Sequence, residues 1–291
     1  MSKRKTWTKI GLVAAVVFCL AGCGTSEKNN ASDQPKGPEE YVATAKKVLE
    51  EAESFHGTVQ IQANMENTED GAIADVTLYR EPLRMAVTMD AKKSDDSSAL
   101  RQMYVVSENE DIYLYRNYVD MQNEDSQWTK KLLHTGIEQN SIQIYDVQEN
   151  ILSLLQNGAD WTVGEEKSGG SKEIVLTGHI PVNRVYEITE QGQYFSFVGM
   201  NGLHDNYYAD AKEIPVRVQM DERTGKINSC EIDMTQTLQS VMNRVMKELD
   251  AQSQGIAVQE YQVLMKMDQQ GDVPAVEVPE EAHNAINYDS M

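Results

Sequence analysis

The stretch from Tyr261 to Asp268, Tyr-Gln-Val-Leu-Met-Lys-Met-Asp, decides the fold class of this 291-residue chain. Every second residue from Tyr261 to Met267 is apolar, and most of the residues between them are polar. This two-residue period is typical of a β-strand with one buried face and one solvated face. A parallel sheet covered on both faces would give continuous apolar runs instead. The stretch therefore predicts a strand of an antiparallel sheet.

The same alternation recurs along most of the chain. It is clear in residues 59–65, 83–90, 112–115, 216–221 and 230–235, and weaker in residues 74–80, 102–107, 161–166 and 173–180. Short polar segments suited to hairpin turns separate several of these strands. We therefore expect one curved antiparallel sheet whose apolar side chains share one face.

Amphipathic helices are predicted to cover that face, because no second set of alternating strands is left to form a sandwich. Apolar residues recur at helical spacing in residues 41–55, in residues 144–155 between Ser141 and Gly158, and in residues 238–249 with Thr235 or Thr237 as the cap. A short helix over residues 182–191 is weakly patterned. The predicted fold class is α+β: a single curved antiparallel β-sheet, a half-barrel, wrapped around a few amphipathic α-helices, as one domain over residues 39–291.

The N-terminus has the pattern of a secretion signal. A basic start is followed by an apolar run over residues 10–21, which is shorter than the ~20 residues that a membrane span needs. Leu20-Ala21-Gly22-Cys23 then resembles the lipobox of bacterial lipoproteins. This resemblance implies a signal peptide over residues 1–22, a diacylglyceryl or palmitate group on Cys23, and attachment to the extracytoplasmic face of the cell membrane. The alternative is that Cys23 is an ordinary residue near a common type of cleavage site.

Composition narrows the partners. Residues 23–38 contain no side chain that would hold them in a core, so we expect a flexible tether. The formal net charge of −20 disfavours nucleic acid as a partner. Cys19 leaves with the signal peptide and Cys23 is modified, so Cys230 has no cysteine left to pair with. Because Cys230 lies among alternating strand residues, we expect a small buried hydrophobe.

Several motifs together resemble a known family. They are Tyr79-Arg80-Glu81-Pro82-Leu83-Arg84-Met85, Gln127-Trp128-Thr129-Lys130, Ile214-Pro215-Val216-Arg217-Val218-Gln219-Met220-Asp221 and Val276-Glu277-Val278-Pro279-Glu280-Glu281-Ala282. The chain resembles uncharacterised lipoproteins of Gram-positive bacteria whose fold is related to the lipoprotein carriers LolA and LolB and to mycobacterial LppX. The resemblance implies a half-open barrel whose concave apolar face is closed by helices and holds acyl chains. The resemblance assigns no catalytic residues to this chain.

Methionine is abundant, with 14 residues against 4 phenylalanines. Flexible thioether side chains suit a cavity that accepts variable acyl chains, although the alternative is that they fill an ordinary core. The candidates for the cavity lining are Met65, Met85, Val87, Met89, Val218, Met220, Met242, Met246, Met265 and Met267.

Catalytic patterns are missing from the sequence. It has no nucleophile elbow, zinc-binding helix, paired cysteine ligands or glycine-rich phosphate loop, and its five histidines are scattered. We therefore expect no enzyme activity, metal or cofactor. Two function classes remain: a membrane-tethered protein that binds a lipid or other apolar ligand, and an envelope interaction or sensor module that contacts a protein partner. The second would use the acidic outer sheet or the tyrosines Tyr113, Tyr115, Tyr118, Tyr207 and Tyr208, which we expect to be exposed.

Overall fold

The computed structural model describes residues 36–66, 68–92, 98–109, 111–120, 126–134, 142–168, 171–249 and 256–287. The predicted signal peptide, Cys23 and most of the predicted tether lie outside these residues, and so does Ser141.

The described residues form twelve strands and four α-helices. The strands are β1 (Ser54–Met65), β2 (Thr68–Tyr79), β3 (Arg84–Lys92), β4 (Ser98–Glu108), β5 (Asp111–Asp120), β6 (Ser126–Leu132), β7 (Ala159–Ser168), β8 (Ser171–Ile180), β9 (Ile214–Asp221), β10 (Ile227–Asp233), β11 (Val258–Gln270) and β12 (Ile286–Asn287). The helices are α1 (Pro38–Glu51), α2 (Val147–Asn157), α3 (Val182–Gly192) and α4 (Thr235–Glu248). Short 3₁₀ turns span Gln143–Tyr145, Ser196–Val198, Asp205–Tyr208 and Glu280–Asn284.

All twelve strands belong to one curved sheet, in the order β12-β6-β5-β4-β3-β2-β1-β11-β10-β9-β8-β7. Strands β1–β6 form one meander and β7–β11 form another, and the two meet where β1 pairs with β11. Every pairing is antiparallel except that of β12 with β6. The predicted α+β class with a half-barrel sheet is therefore confirmed.

Burial follows the two-residue period that the sequence predicts. Along β11, Tyr261, Val263, Met265 and Met267 are buried, whereas Gln262 and its alternating neighbours are more exposed. A bulge between His56 and Gly57 interrupts the pairing of β1 with β11. A side chain at Gly57 would collide with the backbone carbonyl of Lys266, so only glycine permits this close approach. Bulges of this kind increase the local twist of a sheet.

The helices bury one face each, as their apolar spacing predicts. Helix α1 contributes Tyr41, Ala45 and Leu49 to the core, and α2 packs against α1, β1 and β11. Helix α4 packs on β11 through buried residues that include Leu238 and Val241. The region over β7–β11 is therefore filled by helices and inward side chains in one continuous hydrophobic core.

Two predicted helix boundaries differ from the structure. The helix predicted over residues 41–55 ends at Glu51, and Phe55 already belongs to β1. Ile144 and Tyr145 form a 3₁₀ turn, because Asp146 leaves the helical conformation and caps α2 by accepting a 3.0 Å hydrogen bond from the backbone N–H of Glu149.

Neither threonine proposed as the cap of α4 has that role. Met234 precedes the helix without a side-chain cap. Thr235 instead accepts a 2.9 Å hydrogen bond from the backbone N–H of Tyr261, and the hydroxyl of Thr237 donates to the carbonyl of Lys212 at 3.1 Å. Both hydroxyls therefore connect the helix to neighbouring chain segments.

The C-terminal segment, residues 271–287, crosses the convex face of the sheet, which the strand pattern does not predict. Its Ala282 is buried against Val106 and Tyr115, with Val278 and Ala285 at the margin of this second apolar cluster. The segment ends in β12, which pairs with β6. Tyr115, expected to be exposed, is therefore buried by residues distant in sequence.

Candidate functional site

An apolar cavity of about 310 Å³ lies between the concave face of β1–β5 and the 3₁₀ turns at Gln143–Tyr145 and Ser196–Val198. We call it the alanine-lined cavity, because four alanines contribute to its wall. The described lining residues are Val59, Ile61, Ala72, Ala74, Met89, Ala91, Ala99, Arg101, Tyr118, Ile144, Tyr145, Ser196 and Phe197. Small-molecule sites in proteins typically enclose about 300–1,000 Å³, so this volume lies at the lower end of that range.

Strand register places the sheet residues of the cavity in two cross-strand rows. The first row runs through directly paired residues on five neighbouring strands: Val59, Ala74, Met89, Arg101 and Tyr118. The second row, two residues further along each strand, is Ile61, Ala72, Ala91 and Ala99. Because directly paired side chains project from the same face of a sheet, each row forms a continuous strip of the wall.

Side-chain size explains why this part of the concave face is hollow. The neighbouring inward row, which does not line the cavity, contains Val76, Val87 and Met103. The second cavity row has alanine on the same three strands, so it leaves space that larger side chains would fill. The cavity therefore follows from residue choice at regular inward positions of the strands.

Hydrogen bonds fix the Gln143–Tyr145 side of the roof. The guanidinium of Arg80, at the end of β2, makes two hydrogen bonds of 2.6 and 2.8 Å to the carboxylate of Asp146. Asp146 simultaneously caps α2, and the Asn150 side chain donates to the carbonyl of Gln143 at 2.9 Å. The turn is thereby connected to both the sheet and the helix.

A second set of contacts holds the Ser196–Val198 side. The hydroxyl of Tyr261 donates a 2.6 Å hydrogen bond to the carbonyl of Tyr194, and the rings of Phe195 and Tyr261 meet edge to face. Tyr194, Phe195 and Tyr261 are all buried. The packed core therefore positions the chain just before Phe197, which enters the cavity wall.

The polar groups of the cavity gather at one side. Arg101 is the charged residue among the described lining residues, and it lies beside the phenol of Tyr145. The hydroxyl of Tyr145 donates a long, 3.5 Å bond to the sulfur of Met89. Burial raises the pKa of Tyr145, and the adjacent Arg101 acts in the opposite direction. Both residues therefore provide hydrogen-bond donors at neutral pH.

The ten cavity candidates predicted from the sequence do not lie together in one cavity. Met89 lines the alanine-lined cavity, and Met85 borders a smaller pocket of about 170 Å³ beside Arg80 and Asp146. The candidates buried in the continuous core are Met85, Val87, Val218, Met220, Met265 and Met267. Met242 is half-buried against that core, and Met65 and Met246 are half-buried at the end of β1 and on α4.

The candidates predicted from the sequence do not include these alanines, because they rest on the abundance of methionine and therefore on large side chains. A usable signal exists in the strands, since alanine occupies inward positions 72, 74, 91 and 99 where valine, leucine or methionine would fill a core. Cross-strand pairing is needed to see that these positions are neighbours.

The expected tyrosine surface is only partly exposed. Tyr118 is 54% exposed at the cavity, and Tyr113 and Tyr207 are half-buried. Tyr115 and Tyr208 are buried, which contradicts the expectation of exposure. Tyr208 donates a 2.7 Å hydrogen bond to Glu190, and burial together with this carboxylate raises the pKa of Tyr208.

Other hollows and groups are less suited to an apolar ligand. A groove of about 460 Å³ on the convex face is lined by polar side chains such as Gln62, Glu69 and Lys92. Within the described ranges, no group of three or more His, Cys, Asp or Glu residues is arranged to hold a metal ion. None of the helices in the described part of the chain has the length and apolarity needed to cross a membrane.

Comparisons with known proteins find one distant structural likeness to report and no match in sequence. No protein-family model matches the chain, and no curated protein sequence matches it. Among solved structures, the chain is similar to the crystal structure of the lipoprotein LppX of Mycobacterium tuberculosis, with 13% sequence identity and a TM-score of 0.44. The match covers 82% of this chain and 98% of LppX. No functional conclusion follows from a likeness this distant.

Proposed function

We propose that this protein is an extracytoplasmic lipoprotein, attached to the cell membrane through an acylated Cys23, that binds a lipid or other apolar ligand in the alanine-lined cavity. It acts by binding, without catalysis, metal or cofactor. The observation that carries the proposal is the mainly apolar cavity of about 310 Å³ with a few polar groups at one side. Ligand sites commonly combine these features.

The cavity wall supports an apolar ligand in particular. Val59, Ile61, Ala72 and Ala74 are buried at one end of it, so water there has few polar partners. Placing a hydrocarbon chain in such a space removes apolar surface from water on both sides, which stabilises the complex by ~25 cal/mol per Å².

The membrane attachment rests on the sequence of residues 1–38. One acyl chain gives marginal membrane binding, whereas the two or three chains of a bacterial lipoprotein give a stable attachment. Labelling with a radioactive fatty acid tests this proposal: the wild-type chain should incorporate the label and Cys23→Ser should not. Equal labelling of the two chains would rule out acylation at Cys23.

Cavity filling tests the binding proposal. Ala91→Leu places a larger side chain in the cavity wall, and Ala86→Leu is the matched control on the opposite face of the same strand. We expect lipid that co-purifies with the full-length wild-type protein from its membrane, measured by native mass spectrometry, to be retained by Ala86→Leu and lost from Ala91→Leu. Equal lipid content in the two variants, or none in the wild type, would contradict binding in this cavity.

The envelope interaction module stays a prediction. Its expected tyrosine surface is reduced by the burial of Tyr115 and Tyr208. A protein partner that binds equally well to wild type and Ala91→Leu would favour this alternative.

A further inference from the structure

The burial and polarity of the first cavity row change along its length. At the β1 end, Val59 and Ala74 are buried and apolar. At the other end, Arg101 is half-buried and Tyr118 is 54% exposed. A ligand lying along this row therefore meets an enclosed hydrocarbon environment at one end and a solvated, cationic environment at the other.

Arg101 contributes a positive charge at the open end of the row. The whole chain carries a formal net charge of −20. Among the residues whose side chains the structure describes, no carboxylate forms an ion pair with Arg101. Its directly paired neighbours on the adjacent strands, Met89 and Tyr118, carry no carboxylate. A guanidinium has five N–H donors, so donors remain for an anionic oxygen.

The dimensions fit one hydrocarbon chain. Neighbouring strands lie ~4.8 Å apart, so the row from Arg101 on β4 to Val59 on β1 is about 14 Å long. One leaflet of a bilayer has a hydrocarbon thickness of about 15 Å, half of the ~30 Å core. A cavity of about 310 Å³ lies at the lower end of the ligand-site range, which suits one hydrocarbon chain.

We infer that the ligand of the alanine-lined cavity is a single-chain amphiphile with an anionic head group, bound with its carboxylate or phosphate on Arg101 and its chain directed across β3 and β2 toward Val59. This inference rests on the proposed function and adds the ligand class and its orientation. Tyr118, the direct cross-strand neighbour of Arg101, contributes a hydroxyl donor beside the head group.

Photolabelling of the full-length protein in membrane vesicles tests the inference. Three probes of equal chain length each carry a diazirine near the chain end: a fatty acid, a lysophosphatidic acid and the methyl ester of the fatty acid. Crosslinks are mapped by mass spectrometry to peptides containing Val59, Ala72 or Ala74. Labelling of the C-terminal segment on the convex face corrects for differences in membrane partitioning.

We expect at least one anionic probe to label these peptides about tenfold more than the neutral ester in the wild-type protein, because charge-assisted hydrogen bonds are worth about 1.4 kcal/mol or more. The arm with the higher ratio identifies carboxylate or phosphate as the head group. Arg101→Gln should reduce the ratio toward one, whereas Arg101→Lys should keep most of it. Arg116→Gln, an exposed arginine on the same face outside the cavity lining, should leave the ratio unchanged.

The contrary results separate the two proposals. Equal labelling of the cavity peptides by the anionic and neutral probes in the wild type would overturn the anionic ligand and leave apolar binding in place. Failure of every probe to label these peptides would overturn the proposed function as well. The comparison of probes in the wild type needs no variant, so it holds even if Arg101→Gln does not fold.

Discussion

Two parts of the concave face have the same alternating strand pattern, but one is filled by side chains and the other encloses a cavity. Over β7–β11, helices α1, α2 and α4 cover inward side chains such as Leu176, Val218 and Ile232, all fully buried. At one end of β1–β5, two 3₁₀ turns roof inward alanines and leave the alanine-lined cavity. Alternation therefore determines which residues face inward, and residue size together with helical cover determines whether the space is filled.

The largest expected effect is the protection of Cys230, in the packed part, from alkylation. This thiol is fully buried in β10, and burial raises its pKa. Because both burial and the small thiolate fraction oppose reaction, we expect alkylation of Cys230 to be at least about a thousandfold slower in the native protein than in denaturant. A maleimide time course measures this ratio. Similar rates in the two conditions would show that the packed part opens readily.

The next largest effect, on the free energy of unfolding, is expected from removing one buried side chain of the packed part. Leu176→Ala removes a fully buried side chain from β8, and we expect a loss of about 3 kcal/mol in the free energy of unfolding. Thr177→Ala, on the exposed face of the same strand, should change it by less than about 0.5 kcal/mol. Urea unfolding of both variants provides the measurement. Equal losses would mean that the core over β8 is not tightly packed.

A smaller loss is expected where the roof of the cavity joins the sheet. Arg80→Ala leaves Asp146 without its bidentate partner, and we expect a loss of about 2 kcal/mol, reduced from the value of a fully buried pair because Arg80 is 31% exposed. Hydrogen exchange should accelerate first in residues 142–157. If the protection of these amides did not change, the ion pair would not be holding the turn.

The smallest loss in the free energy of unfolding is expected from truncating a side chain on the cavity wall. Met85 and Met89 share a strand and a face, but Met85 is buried in the core and Met89 is half-buried on the cavity wall. Truncation to alanine should cost about 3 kcal/mol at Met85 and about 1 kcal/mol at Met89, because Met89 already lacks neighbours on one side. Equal costs, measured by urea unfolding, would indicate that the cavity collapses around Met89.

Sequence patterns predicted most of this fold, because period and polarity are local properties. The strands through Val59, Leu114, Val218 and Val263 and the cover by amphipathic helices follow from them. The helix starts were less predictable, since Asp146 and Thr235 form hydrogen bonds to other elements as well as to their own segments.

The candidate site was harder to predict than the fold. Ala72, Ala91 and Ala99 become one strip of wall only through pairing between three strands, which a single sequence does not reveal. Arg101 reads in the sequence as an ordinary strand residue. Its position in an apolar cavity depends on roof turns whose sequence is 40 or more residues away.

The path of the C-terminal segment has a consequence for how the chain tolerates shortening. Residues 271–287 cover Val106 and Tyr115 on the outer face and place β12 along the backbone of β6. Deleting them would uncover apolar surface next to a strand with unpaired amide and carbonyl groups, a combination that promotes self-association of sheets. Residues 271–287 therefore cover apolar surface and the backbone of β6 at once, and we expect their deletion to promote self-association.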